Sequence, residues 1–106
     1  MSYFRFDDLP TKEIIPGFLA RLIHTEQQTI SLVKTQEGSI LPAHSHVHEQ
    51  VSQVLEGEFE MTVEGETRVC KKGDVIVIPS NAVHSGRALT DCVILDTFTP
   101  VREDYR

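Results

Sequence analysis

The sequence predicts an all-β fold closed into one small barrel, and three observations lead there. Short apolar alternations recur along the chain, interrupted by turn residues about every eight to twelve positions, the spacing of sandwich and barrel strands. The stretch Val75-Ile76-Val77-Ile78 is β-branched throughout and stops at Pro79, as a strand does. No segment sustains a 3.6-residue apolar period between caps, so any helix is short.

Residues 18–23 begin the pattern, mostly apolar and broken by Arg21, and residues 28–34 alternate around Ile30 and Leu32. Phe59, Met61 and Val63 alternate with Glu60, Thr62 and Glu64, so that strand turns one face to the core. Glu56-Gly57 and Glu64-Gly65 read as hairpin tips, and Lys72-Gly73-Asp74 as a third turn. Residues 75–78, apolar at every position, read as a strand buried on both faces. Residues 92–98 form the last strand, closed by Thr99-Pro100. The chain divides into an N-terminal strand segment (1–16), a barrel core (17–99) and a C-terminal tail (100–106).

A chain of 106 residues buries roughly 65% of its unfolded surface, enough for one core and no second domain. The formal net charge of −6 argues against nucleic acid, which needs a basic surface. No apolar run reaches the ~18 residues of a membrane span. Acidic residues in MSYFRFDDLP stand where a signal peptide carries its apolar stretch. Cys70 and Cys92 form neither a C-x-x-C pair nor a disulfide framework, so a reducing cytoplasm is expected.

The chemistry gathers at the histidines. Of five, three crowd into His44-Ser45-His46-Val47-His48-Glu49-Gln50. Residues two apart on a strand share a face, so His44 and His46 present two imidazoles to one side, a ready nitrogen pair for a metal ion. His84, just after the Pro79-Ser80-Asn81 turn, is the natural third ligand. The competing reading is a solvated histidine patch with a core histidine at 84. A turn near Val47 takes His48 out of the ligand set, and His24, with no polar companion, reads as structural or surface.

These residues resemble the two motifs of the cupin superfamily, G-x5-H-x-H-x3-4-E-x6-G and G-x5-P-x-G-x2-H-x3-N. Gly38, His44, His46 and Gly57 fill the first with Gln50 in place of glutamate; Gly73, Pro79 and His84 fill the second, with Asn81 and Ala88 as departures. The resemblance implies a double-stranded β-helix, or jelly-roll, barrel with a metal site inside it. Asn81 is a mild change, because asparagine tolerates a left-handed backbone. Gln50 matters more. Three imidazoles and an amide leave the ion's charge uncompensated, which favours an anionic, oxygen-rich ligand and Lewis-acid work. This donor set suits zinc, nickel, manganese or iron.

In the last strand Cys92, Ile94, Asp96 and Phe98 share one face and Val93, Leu95 and Thr97 the other. Parity alone leaves open whether Asp96 faces the interior or solvent. Arg102 either folds over the barrel mouth or pairs at the surface with Glu103 or Asp104. The stretches 46–50, 57–60 (read as a hairpin) and 96–105 resemble the KdgF group of small cupins, a similarity covering most of residues 38–105. That resemblance implies metal ligands His44, His46, Gln50 and His84, and functional roles for Asp96, Phe98 and Arg102. It also implies an activity: opening 4,5-unsaturated uronate monomers to linear 5-keto-4-deoxyuronates. On that reading Asp96 moves a proton, Arg102 grips the carboxylate with a two-pronged contact, and Phe98 walls the sugar ring. The alternatives are a non-enzymatic module binding a small acid or sugar, and a metal-dependent dioxygenase, which the neutral Gln50 disfavours. Cupin barrels commonly pair by lending an N-terminal strand, and residues 3–15, with Tyr3, Phe4, Phe6, Ile14 and Ile15, are apolar enough for this. A homodimer is the expectation.

Overall fold

The computed structural model describes residues 1–106. Ten strands run through it: β1 (Lys12–Ile15), β2 (Phe18–His24), β3 (Thr29–Thr35), β4 (Ile40–His44), β5 (Glu49–Glu56), β6 (Glu58–Val63), β7 (Glu66–Lys71), β8 (Val75–Ile78), β9 (His84–Ala88) and β10 (Cys92–Thr99). The only helices are three-residue 3-10 turns at Phe6–Asp8 and Glu103–Tyr105. No helix is long and apolar enough to cross a membrane.

The strands form a six-stranded sheet, β1-β2-β3-β10-β5-β8, and a four-stranded sheet, β4-β9-β6-β7, both antiparallel throughout. No ladder joins them, so the expected closed barrel is two packed sheets of the jelly-roll kind. Alternation fixes which face of a strand is buried, not which strand it pairs with, and it cannot separate these arrangements. Glu64-Gly65 is the predicted hairpin tip, both residues in the left-handed region (φ 47° and 81°). Glu56-Gly57 is not a hairpin: the chain crosses there from the six-stranded sheet to the four-stranded one. Gly57 has φ 84°, and a Cβ on it would collide with the Asp91 carbonyl oxygen and Cys92 Sγ. Only glycine fits that crossing.

Two expectations about strand faces, at β8 and β3, are corrected. β8 lies at a sheet edge with Val75 and Val77 each 58% exposed, so it is not buried on both faces. β1 pairs with β2 of its own chain, leaving Tyr3 and Phe4 as exposed aromatics. Along β3 the buried positions are Thr29, Ser31, Val33 and Thr35, whereas Ile30 and Leu32 lie on the outer face. The two cysteines are free and buried.

Register divides the interior of the large sheet into rows. Val33, Ile94 and Val54 stand opposite one another, then Ser31, Asp96 and Ser52, then Thr29, Phe98 and Gln50. The first row joins Phe18, Phe59 and Met61 in the apolar core, where Phe18 and Phe59 meet edge to face between the sheets at 6.2 Å. Each such side chain contributes about 1.5–3 kcal/mol by leaving water. One step along the same strands the interior becomes polar. The core stabilises the fold at one end and leaves the other end for chemistry.

Candidate metal centre and substrate cavity

Ser31, Asp96, Ser52, Phe98 and Gln50 line a cavity of about 320 Å³ that also takes in His44, His84, Arg102 and Tyr105 and extends to the apolar row at Val33 and Ile94. His44 and His84 are register partners on β4 and β9, and their ring centroids are 4.2 Å apart. β4 ends at His44, so His46 reaches the site from a loop, pinned where Asn81 N–H donates to the His46 carbonyl at 2.8 Å. Asn81 has φ 65°, the left-handed geometry expected where the motif has glycine. Donor nitrogens of His44, His46 and His84 all lie within 4.8 Å of one another. His48 follows a bend at Val47 and stands outside this cluster.

Each ring is fixed through Nδ1, which donates to a carbonyl: Pro42 at 2.8 Å for His44, His48 at 2.9 Å for His46 and Ala82 at 3.0 Å for His84. That leaves the three Nε2 atoms as lone-pair donors toward the cavity. Burial, chiefly, lowers the pKa of His46 and His84; the Arg102 charge adds to the effect on His46. Both shifts favour the neutral imidazole that a metal requires.

Two observations fit these residues to a metal ion. His84 Nε2 is buried without any hydrogen-bond partner. His46 Nε2 stands 3.1 Å from Gln50 Oε1, and because Nδ1 carries the proton, this contact sets acceptor against acceptor. Two lone pairs converge this way when they share a cation. Gln50 is held in that orientation by a relay: its Nε2 donates to Ser52 Oγ at 2.9 Å, and Ser52 donates in turn to Asp96 Oδ1 at 2.5 Å.

Asp96 thus faces the interior, in register between Ser31 and Ser52. Burial pushes its pKa up to about 6, outweighing the bonds from Ser52 and Gln50 and the Arg102 charge. Arg102 does both things the sequence left open. It is 7% exposed over the cavity, and its Nε and Nη2 donate to the Asp104 carboxylate at 3.0 and 2.7 Å. This bond, first of all, lowers the Asp104 pKa. Nη1 makes no bond to Asp104. The guanidinium carbon lies 4.0 Å from the Tyr105 ring centroid and 4.8 Å from that of Phe98, an aromatic clamp.

His24 does have a polar companion: its Nδ1 lies 2.8 Å from the Thr29 hydroxyl, which also accepts the Arg102 backbone N–H at 2.8 Å. Sequence reasoning gave no role to Ser31, Ser52 or Tyr105, although Tyr105 falls within the stretch that carried the closer resemblance.

Comparison with known proteins agrees with this geometry. Residues 31–98 match the Cupin domain family. The chain belongs to the cupin family. This cupin is 33% identical, over 106 residues, to the pectin degradation protein KdgF of Dickeya dadantii (strain 3937), covering 97% of this chain and 96% of the relative. The solved structure of KdgF from Halomonas sp. is similar at a TM-score of 0.93 and 31% identity, covering 100% of this cupin and 99% of that chain. An RmlC-like cupin from Shewanella frigidimarina also gives 0.93, at 29% identity, covering 100% and 97%.

Proposed function

We propose that this cupin opens and ketonises 4,5-unsaturated uronate monomers, with His44, His46, His84 and Gln50 Oε1 as ligands of one divalent ion. The observation that carries the reading is Asp96, an interior carboxyl group sharing one cavity with His44, His84 and Arg102, with His46 completing the histidine triad. The substrate class is supported by the similarity to KdgF, a protein named for pectin degradation.

A divalent ion bound at these ligands supplies Lewis-acid stabilisation of negative charge on substrate oxygen. Nη1 of Arg102, with the second proton of Nη2, receives the substrate carboxylate as a paired contact. Asp104 and the aromatic clamp hold the guanidinium still for it, and Phe98 walls the ring. Ring opening takes the proton from the C1 hydroxyl, forms the C1 carbonyl and breaks the bond from C1 to the ring oxygen. The electron pair moves to that oxygen, now an enolate on C5, and a proton delivered to C4 completes the ketone. The overall change is an isomerisation that moves one proton. Asp96, with a pKa near 6, accepts and returns a proton at neutral pH without a large free-energy step.

Turnover in deuterated water tests this proton transfer. Delivery from Asp96 on one face places deuterium at one of the two C4 positions, read by proton NMR of the linear product. Equal labelling of both positions, as free solution gives, contradicts a positioned donor.

A further inference from the structure

β3 turns its hydroxyl-bearing face inward. Thr29 hydrogen-bonds to Arg102 and His24, but the Ser31 hydroxyl, on a residue 1% exposed, has no partner at all. Ser31 lines the cavity and stands in register with Asp96. On the other flank of the same carboxylate, Ser52 spends its proton on Asp96. Two serines therefore bracket the carboxyl group, one committed to it and one free. A buried hydroxyl left unpaired costs about 1–3 kcal/mol, and the large majority of buried side-chain polar atoms avoid that cost. Thr35, the other unpaired hydroxyl of this strand, lines the far end of the same cavity about 13 Å further along, opposite Phe18 and Cys92. A monosaccharide held at the histidines does not span that distance.

We infer that Ser31 is a substrate-binding residue whose hydroxyl pairs with a ring hydroxyl of a sugar acid seated among the histidines, Asp96 and Arg102. The inference rests on the function proposed above and adds a residue to it. A serine hydroxyl both donates and accepts, so it recognises an alcohol in either role. Arg102 selects for the acid and Ser31 selects for the sugar; a deoxygenated acid of equal size would leave Ser31 unpaired.

The test is calorimetric titration of metal-loaded wild type and Ser31→Ala with D-galacturonate, a saturated sugar acid that has no double bond to turn over. Ser31→Ala is expected to weaken binding about tenfold. It should also raise KM for unsaturated uronate by a similar factor with kcat within about twofold, and melt at or above the wild-type temperature. Equal binding by both proteins overturns the inference. So does a melting temperature several degrees lower in the variant, because the hydroxyl would then serve the fold. Weakened binding in a protein that fails to open unsaturated uronate refutes the proposed reaction and upholds Ser31. Wild type that binds no D-galacturonate overturns the inference, and its rate on unsaturated uronate then decides the proposed reaction separately.

Discussion

His84→Ala is expected to abolish metal binding, lowering affinity on the order of 100-fold or more. Loss of groups that merely orient ligands already costs about 10–100-fold, and His84 is itself a ligand in this account. It is the most enclosed of the three, 2% exposed, with its ring fixed by the Ala82 carbonyl and Nε2 free of any protein partner. Metal content after dialysis and competition against a chelator measure the effect. Added metal should raise the melting temperature of wild type, since it binds only the folded state, and leave the variant unmoved. A variant that retains metal at wild-type affinity contradicts the ligand assignment.

Asp96→Asn is expected to lower turnover by about 10²- to 10⁴-fold while metal content stays intact. It also changes stability in a pH-dependent way in chelated protein. The folded pKa is about 6 against an ordinary 3.8. Below about pH 4 the carboxyl is protonated in both states and costs nothing. Between about 4 and 6 only the folded state keeps the proton, so stability falls as pH rises. Above 6 the buried carboxylate costs up to about 3 kcal/mol, from roughly two pKa units at 1.36 kcal/mol each. A neutral amide in its place avoids that cost, so the variant should be more stable than wild type in urea unfolding at pH 8 and equal to it at pH 4. The same difference at both pH values contradicts a buried, perturbed carboxyl group.

Much of the fold was legible because a period of two survives in strands such as β6, where Phe59 and Met61 are buried and Glu60 and Thr62 are less so. Partners and faces were harder to read. An apolar run such as Val75–Ile78 has the same composition in the middle of a sheet as at its edge, and only pairing puts Val75 and Val77 in solvent. β3 misleads for a functional reason. Two of its apolar residues, Ile30 and Leu32, lie outside because the interior at Thr29 and Ser31 belongs to the polar end of the fold.

The site divides in the same way. His44, His46 and His84 could be found from spacing, since two motifs in register constrain three positions at once. Asp96 could not be oriented by parity, because β10 is apolar on both faces; its inward direction follows from lying between Ser31 and Ser52. Ser52 was invisible because a serine in a strand says nothing of what it bridges. Its role exists only in the relay from Gln50 to Asp96.

The central claim is best tested by following the ultraviolet absorbance of the ring double bond in freshly prepared unsaturated uronate monomer. Metal-loaded protein, chelated protein and a protein-free blank are compared, since the sugar also opens slowly by itself. The account predicts faster loss with metal-loaded protein alone, giving a linear keto acid. Rates equal to the blank, in protein verified to hold metal, would contradict it.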